Sequence, residues 1–162
     1  MMNVRPATTQ DAEAIASIFN TYLGRGTMVL DPRSAKDYLT LMTTEKTEFL
    51  VGVDEQGVVI GFAYVKPYSY RKGYSLAGEV SIYLSEDIIG AGLGTKLYDE
   101  LIPVTDTLGY RHLTAKIWAN NTTSILFHKL YGFRMVGTQV GIGWVNNKRV
   151  DTVIMERVWY HD

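Results

Sequence analysis

The 162-residue chain contains no cysteine. That alone excludes disulfide staples, thiolate nucleophiles and cysteine-based zinc sites. Its three histidines, His112, His128 and His161, stand apart with no ligand spacing, so no metal site is expected. Charge of either sign is not in excess: 16 Lys+Arg against 17 Asp+Glu leave a net charge of −1. Without a basic stripe, binding to nucleic acid or to an anionic membrane surface is disfavoured as the main task. No run reaches the roughly 18 apolar residues that a membrane span needs. The opening Met1-Met2-Asn3-Val4-Arg5 lacks the apolar core of a signal peptide, and the expected location is the cytoplasm. Repeats, low-complexity tracts and linker-like stretches are missing as well. What is present is an ordinary globular composition, 46% hydrophobic and 20% charged. Its length suffices to bury a core without staples, and residues 1–162 read as a single domain.

Alternation and punctuation divide the chain. Val4-Arg5-Pro6-Ala7 reads as a first strand. Thr8 and Thr9 cap a helix with Asp11 and Glu13 in its first turn, where carboxylates suit the dipole. Ile15, Ile18, Phe19 and Tyr22 give it one apolar face, and Gly24-Arg25-Gly26 ends it. Ser34 with Asp37 three residues on resembles a capping box for a second helix, which buries Tyr38, Leu39 and Met42. Phe49 to Val53 and Val58 to Tyr64 form a hairpin around Asp54-Glu55-Gln56-Gly57. Glu79 to Leu84 is a further strand. A glycine cluster follows, then a helix carrying Leu93, Leu97, Leu101 and Val104 on one face. Pro103 removes a donor inside that pattern, so the helix is expected to bend or stop early. His112 to Trp118 is a strand, and Asn120-Asn121 caps a short helix ending at Tyr131-Gly132. Phe133 to Val140 and Arg149 to Val158 close the chain around an Asn146-Asn147 turn. The order β-α-α-β-β-β-α-β-α-β-β is a mixed α/β (α+β) plan, not a regular βαβ array.

Gly90-x-Gly92-x-Gly94 lies between a strand and a helix N-terminus. Unpaired helix amides and the dipole favour an anion there, and glycines let backbone approach a phosphate. On its own, the cluster is equally a plain helix entry. It is not a Walker loop, since no Gly-Lys-Ser/Thr follows. It is not a dinucleotide fingerprint either, since Leu97 stands where the last glycine belongs.

Two longer runs say more. Glu79-Val80-Ser81-Ile82-Tyr83-Leu84 with Ile89-Gly90-Ala91-Gly92-Leu93-Gly94 resembles the acetyl-CoA-binding segment of the GNAT acetyltransferase superfamily. Asn121-Thr122-Thr123-Ser124-Ile125 with His128-Lys129-Leu130-Tyr131-Gly132-Phe133 resembles its next motif. Within the superfamily the chain looks most like the phosphinothricin and methionine sulfone acetyltransferase branch, whose opening Val4-Arg5-Pro6-Ala7-Thr8 and Asp11 also resemble. The resemblance spans nearly the whole chain. It implies a mostly antiparallel twisted sheet with splayed central strands, flanked by helices. It also implies acetyl-CoA as co-substrate, a small-molecule amine as acceptor, and a homodimer, since several relatives pair.

The same resemblance implies site residues. Pantetheine would pair with the backbone of Ser81, Ile82, Tyr83 and Leu84, and the pyrophosphate would sit on Ile89, Gly90, Ala91, Gly92, Leu93, Gly94 and Thr95. Asn121 and Ser124 would touch the far side of the cofactor. Where the family usually has Arg or Gln, this chain has Ile89, so binding leans on backbone amides and Lys96. Val145 and Arg149 stand where the branch commonly carries a lysine and a tryptophan.

Glu79 is the candidate general base. A carboxylate of pKa about 4.3 is a poor base for an ammonium of about 10, so a bridging water would carry the proton. The bland alternative is a solvated carboxylate at a strand start. A backbone N–H of Ser81 to Tyr83 would hold the oxyanion. His128 and Tyr131 are candidates for protonating the leaving thiolate, and each is otherwise a packing residue of its helix. In the loop Tyr68 to Tyr74, Tyr70 and Arg71 are candidates for holding an acceptor carboxylate, if this is not an ordinary surface loop. Met28 and Trp144 are candidates for the acceptor wall. The leading expectation is acetyl transfer to a small amino-acid-like amine. Acetylation of a protein N-terminus or lysine is an alternative within the fold, and a non-catalytic acyl-CoA sensor an alternative outside catalysis.

Overall fold

The computed structural model describes residues 2–161. In chain order come β1 (Asn3–Pro6), α1 (Ala12–Asn20), α2 (Ala35–Met42), β2 (Glu48–Val53), β3 (Val59–Pro67), β4 (Ala77–Leu84), α3 (Leu93–Thr107), β5 (His112–Trp118), α4 (Thr122–Leu130), β6 (Arg134–Val145) and β7 (Lys148–Val158). The seven strands form one sheet in the order β1-β2-β3-β4-β5-β7-β6. Every pairing is antiparallel except β4 with β5. That parallel ladder covers only Ala77↔His112, Gly78↔Leu113 and Glu79↔Thr114. Past Glu79 and Thr114 the two strands diverge, which is the splay the resemblance implied.

Period-two alternation sorts side chains between two cores. On β3, Ala63 and Val65 face a cluster with Leu93, Leu97, Tyr98 and Leu101 of α3. Phe62 and Tyr64 face the other side, under Ile15 and Phe19 of α1 and Tyr38 of α2. There Phe49 stacks on Tyr64 at 4.3 Å. On β5 and β7, Leu113, Ala115, Ile117, Val153 and Met155 point to the α3 side. Their neighbours His112, Thr114, Lys116, Trp118, Thr152, Ile154 and Glu156 point to the opposite face and line a cleft.

The local signals act as their chemistry requires. Asp37 Oδ2 accepts from Ser34 N at 2.7 Å, and Ser34 Oγ accepts from Asp37 N at 3.4 Å, closing the capping box. Asn121 Oδ1 accepts from Ser124 N at 3.1 Å and starts α4. Asn146 and Asn147, with φ of 52° and 61°, make the tight turn between β6 and β7. Three expectations need correction. The first helix ends at Asn20, before Tyr22 and the glycines, and Thr21 Oγ1 donates to Ile18 O at 2.7 Å. Pro103 does not stop α3, which runs to Thr107. Its ring lies on the solvent side while Leu101, Ile102 and Thr105 are buried on the other, and that packing outweighs one lost hydrogen bond. The strand expected to end at Val140 runs on through Gly141 to Val145, because β6 pairs with β7 as far as Val145↔Lys148.

Candidate active site

The loop from β4 to α3 turns on Gly90 and Gly92, with φ of 89° and 91°. Side chains are strained in that left-handed backbone, so glycine is required there. Gly92 caps α3, and no acidic residue stands in the first turn. The opening amides on Leu93, Gly94 and Thr95 have no carbonyl one turn earlier to bond, which leaves the positive end of the helix ready for an anion.

A notch seats this helix end on the sheet. Gly52 on β2 and Gly61 on β3 are register partners. Fully buried Leu93 occupies the space their side chains would take: a Cβ at Gly52 would lie 2.8 Å from Leu93 Cδ2, and one at Gly61 2.9 Å from the same atom. Lys96, expected to reach the pyrophosphate, instead donates to the Met2 carbonyl at 2.9 Å. Ile89 is exposed at the loop and uncharged. The loop thus offers an anion backbone amides rather than either of those side chains.

Beyond Glu79, β4 keeps one edge unpaired through Ser81, Ile82, Tyr83 and Leu84. Leu84 O already accepts from the Tyr22 hydroxyl. The Phe127 ring of α4 lies 3.5 Å from where a Gly94 Cβ would stand, and Ile82 Cδ1 lies 3.7 Å from it. Asn121 caps α4, the helix that carries Phe127, and Ser124 stands in its first turn. An open strand edge suits the amides of pantetheine, and the bare helix end suits a pyrophosphate. The residues present therefore fit acetyl-CoA.

On the opposite face of the sheet a cleft of about 980 Å³ opens between α1, the segment after it, and the β6–β7 hairpin. Glu79, Ser81, Tyr83, Met28 and Trp144 all line it. Glu79 sits between two ammonium groups, Lys116 Nζ at 3.2 Å and Lys66 Nζ at 3.7 Å, with 17% of its side chain exposed. Met28 packs on Gly143, where a Cβ would lie 2.6 Å from Met28 Sδ. Asn146 Nδ2 donates to Gly24 O at 3.0 Å and ties the hairpin tip to the segment after α1.

Tyr70 and Arg71 are not brought to the cleft. Tyr70 is 74% exposed, and Arg71 precedes a short 3-10 turn, Lys72–Tyr74, that carries Tyr74 into the cleft instead. Tyr68 joins it there, in ring contact with Tyr74 at 5.4 Å. The cations that do face the cleft are Lys66, Lys116 and Arg33. Arg33 lies 4.3 Å over the Phe19 ring and donates to the Tyr38 hydroxyl at 3.1 Å. Burial is the largest single influence and works against its charge, but the hydrogen bond to Tyr38 and the further interactions with Tyr38 and Tyr64 together outweigh it and hold its pKa above the ordinary value. Sequence reading did not find Arg33, Lys66 or Lys116. The signal available was alternation: Lys116 lies two residues beyond the partner of Glu79, on the same face.

His128 is also placed differently from the expectation. It is 2% exposed and does not line the cleft. Its Nδ1–H donates to Ser124 O at 2.8 Å, and its Nε2 meets the Tyr98 hydroxyl at 2.8 Å. Both nitrogens are engaged inside the protein, so the ring pins α4 to α3 rather than meeting a thiolate. Tyr131 donates to Asp99 Oδ1 at 2.8 Å and Thr95 O at 3.0 Å, and burial with the Asp99 contact pushes its pKa up to about 12.

Burial pulls the pKa of His128 below the ordinary imidazole value, against the opposing bond to the Ser124 carbonyl. The unfolded imidazole protonates near about pH 6.5. Between the two values the unfolded chain binds more protons, so stability falls as pH drops below about 6.5 and levels off under the folded value. Thermal unfolding across pH 4–8 is expected to show that decline in the wild type and a smaller one in His128→Gln.

The model of the Acetyltransferase (GNAT) domain family matches residues 4–154. The chain belongs to the GNAT acetyltransferase family. This GNAT acetyltransferase is 28% identical to the phosphinothricin N-acetyltransferase of Streptomyces viridochromogenes over 88% of its own length and 80% of that protein's. It is 26% identical to the L-methionine sulfoximine/L-methionine sulfone acetyltransferase of Pseudomonas aeruginosa, over 95% of this chain and 92% of the other. A solved GNAT superfamily phosphinothricin acetyltransferase from Sinorhizobium meliloti, in complex with acetyl-CoA, matches with a TM-score of 0.91. That match has 30% identity and covers 97% of this chain and 88% of that one. The family's reaction is acetyl transfer with acetyl-CoA as co-substrate.

Proposed function

We propose that this GNAT acetyltransferase passes the acetyl group directly to the amine of a small amino-acid-like acceptor of the phosphinothricin or methionine sulfone kind, with Glu79 as general base. The observation that carries the reading is Glu79 set between Lys66 and Lys116 in the cleft, at the point where β4 loses its partner strand. The relatives named above act on such acceptors, and a cleft lined by Lys66, Lys116 and Arg33 suits a molecule that carries a carboxylate beside its amine. The fold alone would not choose between acceptors.

Acetyl-CoA, when bound, supplies an acetyl thioester whose thiolate can leave. Glu79 takes the proton of the acceptor ammonium through a water. The two lysines beside it disfavour a third cation and so favour the neutral amine. The freed amine forms the amide bond as the C–S bond breaks, and the proton lost from nitrogen balances the one the thiolate takes up. A backbone N–H on the open edge of β4, between Ser81 and Tyr83, holds the developing oxyanion. The absence of cysteine fits direct transfer with no acetyl-thiol enzyme.

Intact mass spectrometry tests the direct route. Protein incubated with acetyl-CoA alone should keep its mass, and adding methionine sulfone should yield the N-acetyl product. A protein one acetyl group heavier that hands it to the acceptor would overturn direct transfer.

A further inference from the structure

Among the described residues, three buried side-chain polar atoms have no hydrogen-bond partner: His112 Nδ1, Trp118 Nε1 and Thr152 Oγ1. All three residues line the acceptor cleft. Unpaired buried polar atoms destabilise a fold, so their collection in one cleft asks for a reason beyond folding. His112 stands at the entry of β5, where its Nε2 meets Glu156 Oε1 at 2.9 Å. Trp118 and Thr152 stand together at the other end. They are register partners on β5 and β7, so their side chains leave the sheet side by side, with Cβ atoms roughly 5 Å apart. Thr152 is only 7% exposed. An indole N–H can only donate, and a threonine hydroxyl can donate too. Val145 and Ile142 line the same cleft and offer only apolar side chains.

Two neutral donors call for an oxygen with free lone pairs and little net charge. A carboxylate would be drawn to Lys66, Lys116 or Arg33 instead. Trp118 lies four residues along β5 from Thr114, the partner of Glu79, a rise of roughly 13 Å. An amino-acid-sized acceptor spans that distance when a water joins its amine to Glu79. We infer that Trp118 and Thr152 form a specificity subsite that holds the oxygen of an oxidised sulfur or phosphorus group, such as a sulfone, sulfoximine or phosphinyl oxygen, at the end of the acceptor remote from its amine. The inference rests on the acceptor reading under Proposed function.

Trp118→Phe and Thr152→Val each remove a donor and keep the shape. The test compares kcat/KM for methionine sulfone with that for norleucine, which has the amine and carboxylate but no oxygen in its tail. Each variant should lose about tenfold or more on the sulfone and stay within about twofold on norleucine. Because Thr152 Oγ1 has no protein partner to lose, the ligand-free melting temperature of Thr152→Val should be unchanged or higher. An unchanged sulfone-to-norleucine ratio in both variants would overturn the subsite and leave the two donors to an interior water. A wild type that turns over none of methionine sulfone, methionine sulfoximine and phosphinothricin would overturn the acceptor reading and the subsite with it.

Discussion

Replacing Glu79 with glutamine is expected to lower kcat by about a hundredfold to ten-thousandfold while leaving the Kd for acetyl-CoA nearly unchanged. Glutamine keeps the size and can still hold the bridging water, but it cannot take the proton. The cofactor side of the splay, built on Ser81 to Leu84 and the α3 amides, does not use this side chain. Lys66 and Lys116 lose their shared partner in the variant, and their uncompensated charge makes the cleft still less welcoming to an ammonium. The rate should therefore recover in part at high pH, where the acceptor arrives neutral. Stopped-time assays of kcat, beside calorimetric titration of acetyl-CoA, separate the two effects. A variant that keeps most of its turnover would remove Glu79 from the proton path.

The second large effect is expected far from the reacting atoms. Gly52→Val places a side chain where Leu93 already sits, and Leu93 has no room to retreat because Gly61 receives it from the next strand. The N-terminus of α3 must lift off the sheet. Overpacking of this kind costs about 1–3 kcal/mol of stability. The same displacement moves the amides of Leu93, Gly94 and Thr95, so the Kd for acetyl-CoA should rise by about tenfold or more, with little change in the KM for acceptor. Adding Leu93→Ala reopens the notch and should restore part of the affinity, a coupling that a double-mutant cycle measures. Equal loss of acetyl-CoA and acceptor binding in Gly52→Val would mean a general loss of structure instead.

Much of this was legible in the residues because the signals were local. The Ser34–Asp37 box, the Asn121 cap, the Asn146-Asn147 turn and the order of elements all depend on neighbours in sequence. The splay followed from resemblance, and the three-residue ladder of β4 with β5 bears it out. What stayed hidden depends on partners distant in the chain. Pro103 reads as a breaker because nothing near it reveals that Leu101, Ile102 and Thr105 are held by the sheet. His128 reads as reactive because its burial and its bond to Tyr98, thirty residues away, are tertiary facts. Lys96 reads as an anion ligand until Met2 takes its ammonium. Arg33 is separated from the β4 motif by α2, the β2–β3 hairpin and a short 3-10 turn, yet the fold lays it along the same cleft. Tyr68 and Tyr74 replace Tyr70 and Arg71 because a short 3-10 turn decides which side of the loop faces inward.

Thiol release from acetyl-CoA, followed continuously against a panel of methionine sulfone, methionine sulfoximine, phosphinothricin, ordinary amino acids, polyamines and short peptides, tests the central claim most directly. Saturable turnover with an amino-acid-like acceptor, and none with peptides or polyamines, is the predicted result. Turnover confined to peptides, or no turnover with any acceptor alongside clear thermal stabilisation by acetyl-CoA, would contradict it.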